Sequence, residues 1–155
     1  VNTNPFQVQL RNGLKGHTYG VEAWGSAQLT PWWRLNLGLS TVFKDFTVKP
    51  GHIDLAQGDS LGHDPDVQLF ARSQFDLTDR LRINAGLRYV GEIDSAPPIG
   101  AYVEADANIA YRLGDMIELY IAGRNLLHGT HLESNDPDRA QLAQRSIYAG
   151  TRLRF

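Results

Sequence analysis

Charge in this chain keeps to one side of a two-residue period. Over its candidate strands from residue 18 onward the charged residues are Glu22, Arg34, Lys44, Arg72, Asp76, Arg80, Arg82, Arg88, Glu92, Glu104, Asp106, Arg112, Glu118, Arg124, Arg152 and Arg154, and every one has an even number. The odd positions between them carry Leu, Ile, Val, Ala, Gly, Phe, Tyr, Trp, Ser and Thr. The odd-numbered Asp45, Asp79, Asp115 and Arg145 are read as lying at turns or strand ends. Successive side chains of a β-strand point to opposite faces. The rule therefore describes a sheet with one apolar face and one charged face; a helix would spread both sets around its circumference.

Alternation and turn chemistry together place strands at about residues 6–12, 18–29, 32–44, 67–77, 80–92, 101–113, 116–125 and 145–155. Thr30-Pro31, Thr78-Asp79 and Gly114-Asp115 are tight connections at one end of the sheet. The polar stretches 45–66, 94–100 and 126–144 are long loops at the other, and the last has room for one turn of helix from Asp136 to Gln144. This predicts an all-β, antiparallel up-and-down meander of about eight strands. The 155 residues suit one domain, and no linker or low-complexity tract divides them.

The alternation alone fits two solvents. A soluble barrel or sandwich would turn the odd face inward, whereas a transmembrane β-barrel inverts the arrangement and lines its lumen with polar groups. Three features favour inversion. The even face is rich in Arg, Glu, Asp and Asn, as a lumen network would be. The odd face carries many small residues (Ala23, Gly25, Ala71, Ala85, Ala105, Ala107 and Ala149), which fill a dry core poorly but which lipid tails accommodate. Aromatic residues gather near strand ends, at Trp32, Trp33, Phe43, Phe46, Phe75, Tyr89, Tyr111 and Phe155, as interfacial girdles do. A charge on the lipid face near midplane costs about 2–4 kcal/mol, a penalty large enough to impose the parity rule.

Other classes recede. The net charge of -2 gives nucleic acid no bulk positive field to bind. The chain has no cysteine, which removes disulfides, thiol catalysis and thiolate-ligated metals. No run approaches the ~18 apolar residues of a membrane helix, a criterion that barrel strands do not meet in any case. No secretory signal is read at Val1.

At the C-terminal strand Ile147, Ala149, Thr151, Leu153 and Phe155 alternate up to a terminal Phe, which resembles the assembly signal of bacterial outer-membrane barrels. The stretches RLRINAGLRYVGEI, AYVEADANIAYRLGDMIELYIAGRNLLH and RSIYAGTRLRF resemble the closing strands of TonB-dependent outer-membrane receptors. Within them, Gly123-Arg124-Asn125-Leu126-Leu127 matches that family's Asn-Leu-Leu near the penultimate strand. Tyr19-Gly20-Val21-Glu22, followed by Leu29-Thr30-Pro31, resembles an earlier hairpin of the family. The resemblance implies the C-terminal portion of a wide, plugged barrel, with the plug domain and TonB box absent from this chain. It also implies an outer-membrane location, membrane lipid and lipopolysaccharide around the barrel, a small nutrient such as a ferric chelate as ligand, and TonB as a partner reached only through the plug. Eight strands also close by themselves, so a self-contained barrel with a structural or adhesive role is the alternative, and a lipid-acting barrel enzyme a more distant one.

The expectation for chemistry is no catalytic residue, no resident metal and no cofactor. No nucleophile elbow, phosphate loop or Ser-His-Asp spacing is present. Glu104 and Asp106 share a face as glycosidase acids would, but with Arg neighbours they read as part of a lumen ion network. His128-Gly129-Thr130-His131-Leu132-Glu133 has two histidines at a spacing suited to a helix, yet falls in a loop. The ligand-contact candidates are loop residues: His52, Asp54, His63 and Asp64 in the longest loop, and His128 and His131 in the third.

Overall fold

A computed structural model describes residues 12–53, 64–94, 98–134 and 141–155. Seven strands form one antiparallel sheet: β1 (Leu14–Thr30), β2 (Trp33–Val48), β3 (Val67–Asp76), β4 (Leu81–Val90), β5 (Tyr102–Leu113), β6 (Ile117–Arg124) and, after a two-stranded insertion of β7 (Thr130–Ser134) and β8 (Gln141–Gln144), β9 (Ser146–Leu153). Their order in space is their order in sequence, the up-and-down meander expected. Among the described residues β1 pairs only with β2 and β9 only with β6. The strand expected at 6–12 lies almost wholly outside those residues.

Register keeps parity across the sheet. Leu37 faces Ala71, Ala71 faces Leu87, and Leu87 faces Ala105, so one odd-numbered row runs from strand to strand. This face is open: Leu37 is 50% exposed and Leu87 53%. Large and small side chains alternate along it, leaving a shallow apolar depression floored by Ala23, Gly25 and Ala71. The even face is enclosed over β5 and β6, whereas Trp24 on β1 and Phe70 on β3 stand exposed on it. It holds the buried Ala110 and Ala122 and, more telling, the buried carboxylates Glu104 and Glu118. A soluble sheet buries the opposite set. The expectation that Leu35, Leu37 and their odd-numbered kin face outward therefore holds.

Aromatic side chains mark two levels on the outer face. Near the short turns Trp33 and Phe75 stack at 5.7 Å, with Trp32 at 6.3 Å from each. Near the other end Tyr19 packs on Phe43 at 5.5 Å. Ten residues separate Trp33 from Phe43, about 33 Å along a strand; with the usual barrel tilt that is about 25 Å of height, the thickness of an outer-membrane apolar band.

Two expectations are corrected. The first long loop begins later than predicted, because β1 and β2 continue past their neighbours: β3 stops pairing at Thr41, while Leu14 still pairs with Val48. Asp45 is thus inside a strand, opposite His17, and Lys15 shares its odd parity. This ribbon extends about 23 Å beyond the rest of the sheet, and past the Tyr19–Phe43 level both its faces meet water and parity carries no penalty. The third loop is not helical at 141–144; it is β8, paired with β7. Leu132 faces Leu142 across this short ribbon, and the helix spacing of the two histidines is not used.

Candidate functional site

The connection from β6 to β7 builds the site. Arg124 ends β6, and Asn125 adopts a left-handed conformation with φ of 51°, which asparagine tolerates better than most residues. Its backbone N–H donates to Asp106 Oδ1 at 3.0 Å, and its side-chain amide donates to the Gln144 carbonyl at 3.3 Å, tying the outgoing strand to the returning one. Two residues on, the Leu127 N–H donates to Glu104 Oε2 at 3.2 Å. Asp106 and Glu104, two apart on one face of β5, thus guide the chain as it leaves the sheet. Their partners are backbone N–H groups and histidines, rather than the arginines the sequence suggested. The Asn-Leu-Leu motif has a local reason: it turns the chain so that His128 arrives over β5.

There the His128 Nδ1 lies 2.6 Å from Glu104 Oε1. His131, on β7, brings its Nδ1 to 3.2 Å from the same oxygen. Glu104 is 2% exposed in its side chain, His131 10% and His128 47%. The far nitrogen of His131, Nε2, lies 3.1 Å from Glu133 Oε1. Arg88 Nη2 donates to that same Glu133 oxygen at 2.6 Å, and Arg88 Nη1 to the Tyr102 hydroxyl at 3.3 Å. The Tyr102 ring packs against the His131 ring at 4.8 Å. The Arg88 guanidinium holds the Glu133 carboxyl below the ordinary glutamate range, helped by His131 and opposed by partial burial. The hairpin is therefore pinned to the even face by charge-assisted hydrogen bonds at the long-loop end of β4 and β5.

Of the predicted contact residues, His128 and His131 are brought together, and Glu104 joins them. Asp64 instead pairs with Lys44 beside the β1–β2 ribbon. His52 sits in the exposed turn after β2, its Nδ1 3.4 Å from the Pro50 carbonyl and its ring against Gly13. Asp54 and His63 lie outside the described residues. Sequence reasoning missed Arg88 and Tyr102 as members of the cluster. For Glu104, likewise not joined to the histidines, the signal lay in the β5–β6 register, where Ala107 faces Gly123 and Arg112 faces Glu118. Extending that register places position 104 across from 126, within reach of the chain that carries both histidines.

The opposite end of the even face has its own ionic group. Arg152 Nη1 lies 2.6 Å from Glu118 Oε1, Arg154 reaches the other oxygen at 3.6 Å, and Arg82 pairs with Asp76 at 3.1 Å. Between the ends, Arg72, Asn84, Asp106, Asn108 and Arg124 line a polar recess. The even face thus carries polar groups at both ends and between them, beside an apolar row of Trp24, Gly38 and Phe70.

The family model for the β-barrel of TonB-dependent-receptor-like proteins matches residues 1–126. Among solved structures, the chain is similar to the closed form of the ferric-catecholate import receptor Fiu from Escherichia coli K12 (23% identity, TM-score 0.69, 90% of this chain and 21% of that one). It is also similar to the siderophore receptor PiuA from Acinetobacter baumannii (18%, 0.69, 88% and 22%). A third likeness is to the ferripyoverdine receptor of the Pseudomonas aeruginosa outer membrane (19%, 0.68, 90% and 20%). At these identities the likeness is one of fold, and the chain spans about a fifth of each receptor's length. No curated protein sequence matches it significantly.

Proposed function

Because this chain belongs to the TonB-dependent receptor β-barrel family, we propose that it supplies outer-membrane strands and extracellular loops to a nutrient-uptake receptor whose barrel is larger than this chain. The observation that carries the reading is the inverted sheet: an exposed apolar odd face opposite buried carboxylates on the even face. Lipid tolerates the first and not the second. The edges of β1 and β9, each paired on one side only among the described residues, support continuation of the sheet into further strands, since an unpaired edge is not stable in hydrocarbon.

In this reading the short turns face the periplasm, and the β1–β2 ribbon and β7–β8 hairpin face outside. The polar even face lines a lumen filled by a separate plug, through which TonB delivers energy. The chain is not an enzyme. In it, His128 and His131, with His52 and Asp64 nearer the ribbon, contact the incoming ligand. A ferric chelate is the substrate class favoured, by analogy with the siderophore receptors that share the fold.

The test is uptake of a panel of radio-iron chelates by iron-starved cells with and without the protein. Energy-dependent accumulation of at least one chelate, lost on deletion and on collapse of the proton-motive force, is expected. Equal accumulation of every chelate in both strains would sink the transport reading. A self-contained eight-stranded barrel would instead refold from these 155 residues alone into a monomer with heat-modifiable gel mobility.

A further inference from the structure

We propose that Glu104, His128 and His131 form a binding site for a divalent transition-metal ion, held directly by the protein. The inference goes beyond the uptake reading and rests on side chains of this chain alone. One donor atom from each residue lies within 4.8 Å of the other two. Two imidazole nitrogens and one carboxylate oxygen are the donor set that suits zinc and its neighbours, with a fourth position left for water or an incoming ligand.

The independent observation is His131 Nδ1. It is buried and has no hydrogen-bond partner, although Glu104 Oε1 is only 3.2 Å away. The side chain is nine-tenths buried, so water does not readily satisfy the atom. The other nitrogen explains the arrangement. In the neutral ring with Nε2–H donating to Glu133 Oε1, Nδ1 presents a lone pair to a carboxylate oxygen. Two acceptors in contact in a buried place repel each other. A cation between them turns that repulsion into two bonds. A tetrahedral ion at about 2.0–2.1 Å from each donor holds two donors about 3.3 Å apart, close to the spacing already present between His131 Nδ1 and Glu104 Oε1, and puts the oxygen off the nitrogen's lone-pair axis, where a direct hydrogen bond fails. His128 is the exposed member. Its Nδ1 lies in hydrogen-bond contact with Glu104 Oε1; on metal binding the Nδ1 proton passes to water, the ring keeps its N–H at Nε2, and the side chain swings to its own coordination position.

The surrounding contacts are those a metal site needs. Glu133 orients His131 through its remote N–H, the carboxylate–histidine relay of metal centres. Arg88 anchors Glu133, and the Leu127 N–H occupies Glu104 Oε2, leaving Oε1 for the ion.

The experiment is titration of the receptor, extracted from outer membranes in detergent, with Co²⁺ alone and then Zn²⁺. Saturation at one cobalt per chain is expected, with the intensified d–d absorption of a nitrogen-ligated, four- or five-coordinate ion, bleached by zinc. His131→Ala and His128→Ala should each weaken binding by about tenfold or more, and Glu133→Gln, which only orients His131, by about tenfold. His17→Ala, on β1 opposite Asp45, should leave it unchanged. Zinc should also protect His128 and His131 of the unmutated receptor from diethyl pyrocarbonate, read by peptide mass spectrometry, so the outcome does not depend on variants that assemble poorly. A spectrum no different from aqueous cobalt, binding that survives both histidine variants, or histidine modification indifferent to zinc would each overturn the proposal.

Discussion

In the middle of β1 and β2, Glu22 and Arg34 point one way and Val21, Ala27, Leu35 and Leu37 the other. Farther along the same two strands, Lys15, His17 and Asp45 stand on the apolar side of the register. Hydrogen bonding is continuous through both regions, so the backbone does not distinguish them. The solvent does. Within the band between the aromatic levels, the odd face meets hydrocarbon and a charge there loses its hydration. Beyond it, both faces meet water and composition is free to vary. The same strand is a membrane span over one part and a soluble ribbon over the next, and the place where parity lapses marks the boundary.

The largest expected effect comes from importing a charge into the band. Leu37→Arg should cost about 2–4 kcal/mol of folding stability in lipid vesicles, read by urea unfolding, whereas the neighbouring Asn36→Arg on the polar face should cost far less. Equal losses from the two would remove the case for a lipid-facing odd side. Next is Glu104→Ala, which strips the Leu127 N–H and His128 of their acceptor at the site where the hairpin joins the sheet. A loss of about 1–3 kcal/mol is expected, concentrated in faster amide exchange at 125–134 with β3 and β4 unchanged.

Acid should loosen the hairpin and spare the band. Glu133 has its carboxyl held below the ordinary range by Arg88. A depressed carboxylate pKa contributes stability that is complete above the unfolded value and is lost as pH falls through the folded one. Proteolysis within 125–145 should therefore rise as pH falls below the ordinary glutamate range. Glu133→Gln should raise cleavage at neutral pH and flatten that acid rise. The smallest effect belongs to the ribbon. Asp45→Lys should change stability by less than about 0.5 kcal/mol, against several for a lysine at the same parity in the band.

The meander, the three short turns and the sidedness of the sheet were legible because each is local or repeats every two residues. Trp33, Leu35 and Leu37 announce a face without reference to anything distant. The extension of β1 and β2 was not legible, since Asp45 at an odd position looks like a turn residue when the band is assumed to run the strand's full length. The hairpin at 130–144 was missed for a different reason: a short exposed ribbon has no buried face to impose alternation, and Asp136-Pro137 invites a loop reading. The histidines were picked out as candidates, but Glu104, Arg88 and Tyr102 were not joined to them, because those contacts cross strands.

What the sequence determined by itself was therefore the sheet, its two solvents and its family, all of them consequences of a penalty that acts on each residue singly. The meeting of His131 with Glu104 depended on the left-handed turn at Asn125, the register of β5 on β6, and the pairing of β7 with β8. Each places atoms to within an ångström through hydrogen bonds between segments far apart in the chain, and a period of two carries no information about distances of that kind.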